Sequence, residues 1–341
     1  MKYRIITHGN CTDGFCSAFV FKKYFSKLLG FESNSKEIKN LEIVSVMPRD
    51  IQMNLIELTE YDIVLDLPKP NKKVFFWCDH HLSAKPDNLD SLPENYYWEE
   101  DPSNSGLLIK IAEKKGLKLT DNLKEFKQAI DKMDSAGYSV DEIKKIFYRQ
   151  DNYDGASMLQ RLHFLGNIFR TRDRYLNDVL FNSLLCADLG ETPVDIEMFK
   201  DLQPLLFNEA HMRGLQEWRD HVDTYVEYNE KAKCVVQDNR KVAFSKGVVD
   251  RFYVYLKYPQ ASYGINIKVL KDEDNLARMG IGCNIFHKER CKVDIGKLCK
   301  DVGVKFGEGS GGGHKTVGGL TLFADKIDEA VKFILKMFEE N

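Results

Sequence analysis

The chain has 341 residues, 43% of them hydrophobic and 30% charged, with a formal net charge of −3. That length allows two domains with separate cores, and the near-neutral balance excludes the global basic field of a protein built to track long nucleic acid. No run of about 18 apolar residues occurs, so no membrane-spanning helix is expected. The first residues enter a strand pattern directly, without a secretory hydrophobic region. Eight cysteines, at 11, 16, 78, 186, 234, 283, 291 and 299, include no C-x-x-C pair. Scattered thiols of this kind fit a reducing cytoplasm and argue against a structural zinc site.

Residues 3–7 read as a first strand, followed by the polar loop His8-Gly9-Asn10-Cys11-Thr12-Asp13-Gly14. Phe15, Ala18, Phe19, Phe25, Leu28 and Leu29 then recur at helical spacing, with Gly30 placed to end the helix. Residues 41–46 read as a second strand, 62–67 as a third that stops at Pro68 and Pro70, and 74–78 as a fourth. Strands alternating with helices imply parallel pairing. In an open parallel sheet the ligand site lies beyond the carboxyl ends of the strands. His8, Asp13, Asp66, Asp79 and His80 would meet on that edge.

Ser103 or Ser105 can cap a helix running to Gly116. A second helix with Leu123, Phe126, Ile130 and Met133 on one stripe delivers Asp131 and Asp134 near its end. Those two acids are one turn apart and face the same way. Residues 141–230 read as mostly helical, and His163, His211 and His221 there read as surface or core histidines rather than ligands. From Cys234 the pattern changes to short strands at 234–237, 242–244, 253–256, 262–270 and 279–285. A short helix near 295–302, the loop 307–315, a strand at 318–323 and a last amphipathic helix follow. The expected organisation is a parallel-sheet α/β domain at 1–220, whose part at 141–220 is helical, a linker at 221–234, and a smaller α/β domain at 235–341. A site in the cleft between the two is expected.

The chemistry concentrates at Trp77-Cys78-Asp79-His80-His81. An acid and two imidazoles at the end of a buried strand are costly unless paired or bound to metal. His80 with His8, Asp13, Asp66 and Asp134 gives two imidazoles and three carboxylates, mixed nitrogen and oxygen donors that suit Mn²⁺, Fe²⁺, Co²⁺ or Zn²⁺. Five such donors exceed what one ion needs once water and substrate also bind. A bridge at Asp66 between two ions about 4 Å apart would resolve the excess, and that arrangement serves in-line phosphoryl displacement. In the second domain, Gly311-Gly312-Gly313 lets backbone N–H groups approach an anion, with His314 and Lys315 as further donors.

These residues resemble the DHH phosphoesterase superfamily. Thr7-His8 through Asp13-Gly14, with Ser17-Ala18, is similar to its first motif and Asp79-His80-His81 to its signature. Asp66 and Asp134 resemble its second and fourth motifs, and Asp134 is preferred over Asp131 because Ser135-Ala136-Gly137 resembles the turn that follows. Gly311-Gly312-Gly313-His314 with Gly318-Gly319 resembles the motif of the DHHA1 C-terminal domain. The resemblance implies two divalent ions, Mn²⁺ first, held by His8, Asp13, Asp66, His80 and Asp134. It places His81 at the scissile phosphate, Asp79 behind the imidazoles, and Gly311, Gly312, Gly313, His314 and Lys315 on substrate phosphate. Where the family carries a first acid, this chain has Cys11. It can be a thiolate ligand, leave Asn10 to supply its carbonyl, or be an inert buried thiol; a softer ligand shifts preference toward Zn²⁺ or Fe²⁺.

The activity implied is metal-dependent phosphodiester hydrolysis on a short oligonucleotide, a linear or cyclic dinucleotide, or a small nucleotide. The near-neutral charge disfavours long duplexes, and a homodimer is an open expectation. A nucleotide-binding sensor weakened at Cys11, and an exopolyphosphatase or exonuclease acting on longer polymers, are the alternatives.

Overall fold

In the computed structural model, residues 3–25, 41–148, 156–169, 174–186, 190–196, 222–241, 252–269 and 275–341 are described. The chain divides into two compact units, Met1–Gly137 with Gln150–Phe207, and Tyr138–Arg149 with Asn208–Asn341. The helix at Val140–Tyr148 therefore groups with the later residues and not with the helices around it in sequence.

The first unit carries a five-stranded sheet of β1 (Arg4–His8), β2 (Glu42–Val46), β3 (Asp62–Leu65), β4 (Phe76–Asp79) and β5 (Tyr96–Trp98), in the order β2-β1-β3-β4-β5. Every pairing is parallel. The strands are buried on both faces, as a parallel sheet under helices requires, and Ile5, Ile6, Ile63, Val64, Phe76 and Trp77 are fully covered. β5 was not expected: three residues with one buried face carry too little periodicity to stand out. Helix α1 (Thr12–Val20) follows β1 and continues as a wider turn over Phe21–Phe25. The expected extension through Leu28, Leu29 and Gly30 lies outside the described residues. Helices α2 (Asn104–Lys114) and α3 (Asp121–Asp134) follow the sheet, and α4 (Met158–Ile168) and α5 (Arg174–Cys186) complete the unit. α5 covers the open edge of β2: Asn182 Oδ1 accepts from the Ile43 N–H at 3.0 Å and its Nδ2 donates to the Ile43 carbonyl at 2.7 Å. Capping an edge in this way removes a template for wrong pairing.

The second unit carries a six-stranded sheet, β10-β11-β9-β8-β7-β6, antiparallel except for β7 with β8. Its strands are β6 (Val226–Asn229), β7 (Cys234–Asp238), β8 (Tyr263–Val269), β9 (Leu276–Cys283), β10 (Gly311–His314) and β11 (Val317–Phe323). Ile265, Ile267, Met279, Ile281, Leu320 and Leu322 pack with α6 (Ile295–Phe306) and α7 (Ile327–Glu339) into one core.

Several expectations are corrected here. The segment expected as a strand at 253–256 is a helical turn, Tyr253–Lys257. From it the Tyr255 hydroxyl donates to the Gly282 carbonyl at 3.2 Å, and a Cβ on Gly264 would come within 2.5 Å of that oxygen. The apolar alternation thus serves packing over glycines and not a ladder. The glycine loop expected at 307–315 is partly an edge strand, β10, because α6 packs its backbone against it. A Cβ on Gly311 would come within 2.3 Å of the Cys299 carbonyl, and Gly313 adopts φ 143. Cys283 and Cys291, read as free thiols, form a disulfide with Cα atoms 6.0 Å apart. The expected strand at 242–244, and His211 and His221, lie outside the described residues. His163 is a buried residue.

Candidate metal centre

The strand order reverses at β1, which pairs with β2 on one side and β3 on the other. At such a switch point the chain leaves the sheet in opposite directions and opens a crevice at the carboxyl ends. The register Thr7↔Leu65 sets His8 beside Asp66. The register Leu65↔Cys78, with Asp66 N–H bonded to the Cys78 carbonyl at 3.0 Å, sets Asp79 and His80 on the other side. Parallel pairing alone thus lines up residues from three strand ends.

Two turns complete the edge. Asn10 at φ 57 and Asp66 at φ 55 both occupy the left-handed region, which asparagine and aspartate enter more readily than most side chains. The first turn brings Cys11 back over β1 and starts α1, whose Gly14 lies so close to the strand that a Cβ would come within 2.2 Å of the His8 carbonyl. The Thr7 hydroxyl donates to the Gly14 carbonyl at 2.6 Å and fixes that approach.

Asp13 points into the N-terminus of α2. Its oxygens accept from the Asn104 N–H at 2.7 Å, the Ser105 N–H at 3.1 Å and the Ser105 hydroxyl. A helix N-terminus presents free amides to an anion, and Ser103 caps the same helix by accepting from the Gly106 N–H at 2.9 Å. Asp134, at the end of α3, has an oxygen 3.5 Å from His80 Nε2. Asp131 is held elsewhere, by the Ser103 hydroxyl at 2.6 Å and Lys127 at 2.6 Å. Which of the two acids meets the His80 imidazole is a matter of which face of α3 meets the sheet, and it is Asp134, the acid preferred from the sequence.

His80 is fully buried. Its Nδ1 lies 2.8 Å from the Asp101 carbonyl. A carbonyl can only accept, so Nδ1 carries the proton and Nε2 is left to face the acids. Nε2 lies 3.4 Å from Asp66, 3.5 Å from Asp134 and 3.8 Å from Asp13. Asp79 holds the neighbouring turn instead: its Oδ1 accepts the His80 N–H at 2.8 Å and meets His81 Nδ1 at 2.7 Å. Asp79 thus touches the His81 imidazole, while the partner of the His80 imidazole is a backbone carbonyl. A main-chain group leaves no mark in the sequence, and neither did Asn104 and Ser105 as holders of Asp13.

Among the described residues several overlapping groups could hold an ion, one of them Asp66, Asp79, His80 and His81, and two others take in the remaining ligands. Nitrogen, sulfur and oxygen atoms of His8, Cys11 and Asp66 lie within 4.8 Å of one another, as do atoms of Asp13, His80 and Asp134. Asp66 joins them: one oxygen is 3.3 Å from His8 Nδ1 and the other 3.4 Å from His80 Nε2. Burial lifts the Asp13 carboxyl well above its usual range, and Asp66 and Asp134 add to the effect. For Asp66 burial works the same way, but the neighbouring imidazoles of His8 and His80 prevail and hold it below the usual range. Burial would lower His80, yet Asp66, Asp134 and Asp13 raise it well above an ordinary imidazole. Cys11 is only partly buried, yet loss of water around its thiol, with Asp66, Asp134 and Asp13, raises its pKa well above the usual range. His8 Nδ1 and Asp79 Oδ2 are buried without a partner at full hydrogen-bond geometry. Such crowding of buried acids is relieved by cations, and the donor set fits divalent transition ions.

Gly311, Gly312, Gly313 and His314 form β10 of the second unit, and Lys315 is the exposed residue of the hairpin turn that follows. That geometry was visible in the sequence only as a glycine run.

No family profile matches the chain. No curated protein sequence matches it significantly either. Solved structures do. A pGpG-specific phosphodiesterase, PggH of Vibrio cholerae, superposes with a TM-score of 0.58 at 20% identity, over 99% of both chains. The DHH domain of a protein described as a member of a ribosomal-protein family superposes with a TM-score of 0.53 at 12% identity, over 98% of this chain and 86% of that one. The chain has the DHH fold. At these identities the likeness speaks for the DHH fold alone. Within that fold the signature triplet Asp79-His80-His81 stands at the end of the fourth strand, beside the ends of the first and third. No helix among the described residues is long and apolar enough to cross a membrane.

Proposed function

We propose that the protein is a divalent-metal-dependent phosphodiesterase acting on short oligonucleotides or dinucleotides. The observation that carries this reading is the two-sided carboxylate of Asp66, facing His8 with one oxygen and His80 with the other. His8, Cys11 and Asp66 would hold one ion, and Asp13, His80 and Asp134 a second, with Asp66 shared. When bound, such ions supply Lewis acidity and ionise water near neutral pH. Mn²⁺ is the leading candidate, with Zn²⁺, Fe²⁺ and Co²⁺ behind it.

The chain's own residues do the rest. The Asp101 carbonyl and the α2 N-terminus keep His80 and Asp13 in one orientation, so little reorganisation is needed when charge develops. His81, with Nδ1 against Asp79, presents Nε2 as the proton donor to the departing oxygen. Burial lowers the pKa of that imidazole, but Asp79 with Asp66 outweighs it, so His81 holds its proton more firmly than an ordinary imidazole. Gly311, Gly312, Gly313, His314 and Lys315 are proposed to hold a phosphate of the substrate. A protein of the same fold is described as a pGpG-specific phosphodiesterase, so a dinucleotide is proposed first, and the net charge of −3 favours short substrates. The expected setting is the cytoplasm.

With Mn²⁺ and a 5′-labelled dinucleotide, pGpG among a panel of graded lengths, the purified protein should release mononucleotide. Turnover of a 3′-phosphonucleotide or a cyclic mononucleotide, with the dinucleotides untouched, would overturn the oligonucleotide reading.

A further inference from the structure

The two ligand sets differ in chemistry. The His8, Cys11 and Asp66 set offers nitrogen, sulfur and oxygen, and the Asp13, His80 and Asp134 set offers two carboxylates and one nitrogen. Resting on the dimetal reading above, we propose that the centre is mixed: a thiophilic ion, zinc or ferrous iron, bound through the Cys11 thiolate, beside a harder ion such as Mn²⁺ on the second set.

Three observations support it. First, Cys11 is not enclosed in the core like Cys16, Cys78, Cys234 and Cys299; it is partly accessible at the crevice. An inert structural thiol is normally buried among apolar side chains, whereas this one has two potential ligands within 4.8 Å. Second, the backbone is turned to put it there. Asn10 at φ 57 reverses the chain so that residue 11 returns to the side of residue 8. Third, His8 Nδ1 lies 3.3 Å from an Asp66 oxygen, and ligand atoms of Cys11, His8 and Asp66 fall within 4.8 Å of one another. Three protein ligands of mixed type with room for a further one make up a catalytic zinc site. Thiolate selects soft ions, and carboxylates select Mg²⁺ and Mn²⁺. Asp66, with one oxygen on each side, imposes no preference of its own. The sorting therefore falls to Cys11 on one side and to Asp13 with Asp134 on the other.

Metal-binding experiments read this without turnover. Metal-free protein titrated with Co²⁺ should show a near-ultraviolet thiolate-to-cobalt charge-transfer band that saturates at one of two bound ions. The band should persist in Cys16→Ser and vanish in Cys11→Ser. Zinc-loaded wild type should show one sulfur neighbour at about 2.3 Å by X-ray absorption; this arm needs no variant and stands even if Cys11→Ser fails to fold. Cys11→Asp should lose the band and take up a second Mn²⁺, counted by electron paramagnetic resonance. Two bound ions without a sulfur neighbour, or a band that survives in Cys11→Ser, would overturn the mixed centre and leave the dimetal reading standing. Failure of wild type to bind any divalent ion would remove both.

Discussion

Asp66 ends β3 in the left-handed region, at φ 55, with both oxygens engaged by imidazoles. Strain of this kind persists where the surroundings over-determine it. Asp66→Ala should bind at most one Mn²⁺ equivalent and lose turnover; normal turnover in that variant would remove the shared-ligand arrangement. Because His80 and Asp13 hold protons more firmly than free side chains do, cation binding must expel them. Calorimetry in buffers of different ionisation enthalpy should show proton release near neutral pH and affinity falling as pH falls. His81 reports on a different step. Its pKa is raised, since Asp79 and Asp66 together outweigh burial, so the donor form persists to higher pH than in an ordinary imidazole and is lost as pH rises through the elevated value. His81→Ala should lower kcat by roughly 10²–10⁴ with KM little changed, and a substrate with a nitrophenolate leaving group should recover most of the loss. Asp79→Asn should move the alkaline limb to lower pH, because the carboxylate that raised the imidazole is gone.

At the level of elements, the join between β1, α1 and α2 positions Asp13. Gly14 admits no side chain, since a Cβ there would come within 2.2 Å of the His8 carbonyl. Gly14→Ala should destabilise the fold by about 1–3 kcal/mol, read as a lower urea midpoint at unchanged slope. Ser105→Ala removes one donor to Asp13 and leaves the two amides in place; cation affinity should fall roughly 10-fold or more while the melting temperature of metal-free protein changes little. Of these elements, β1 to β4 were legible because parallel strands are apolar on both faces and end at polar residues. β5 and β6 were not: each is short and has a single buried residue, so neither carries a buried apolar run. The turn at Tyr253–Lys257 misled because a buried helical turn and a buried strand share the same apolar run when only a few residues are seen.

Across the whole molecule, two sheets of opposite character stand in one chain. The parallel sheet delivers reactive side chains at its strand ends, and the mixed sheet presents a glycine hairpin packed on α6. His314→Ala should mainly raise KM, as expected of a group that anchors substrate. The Cys283–Cys291 link closes a loop of eight residues, and loop-closure entropy of that size is about 2–3 kcal/mol. Cys291→Ser should lower the midpoint of the second unit in oxidising buffer and change little under reductant. By itself, the sequence determined the residue types of the centre, the alternation that makes the first sheet parallel, and the edge on which those residues fall, because strand period and strand ends are local properties. The tertiary structure decided what depends on register and on helix faces. The face of α3 brings Asp134 to His80, as the sequence preferred, a backbone carbonyl and not Asp79 sets the His80 tautomer, and Cys11 comes close to both His8 and Asp66. Such choices rest on angstrom-scale approach between segments far apart in sequence, which no local pattern encodes.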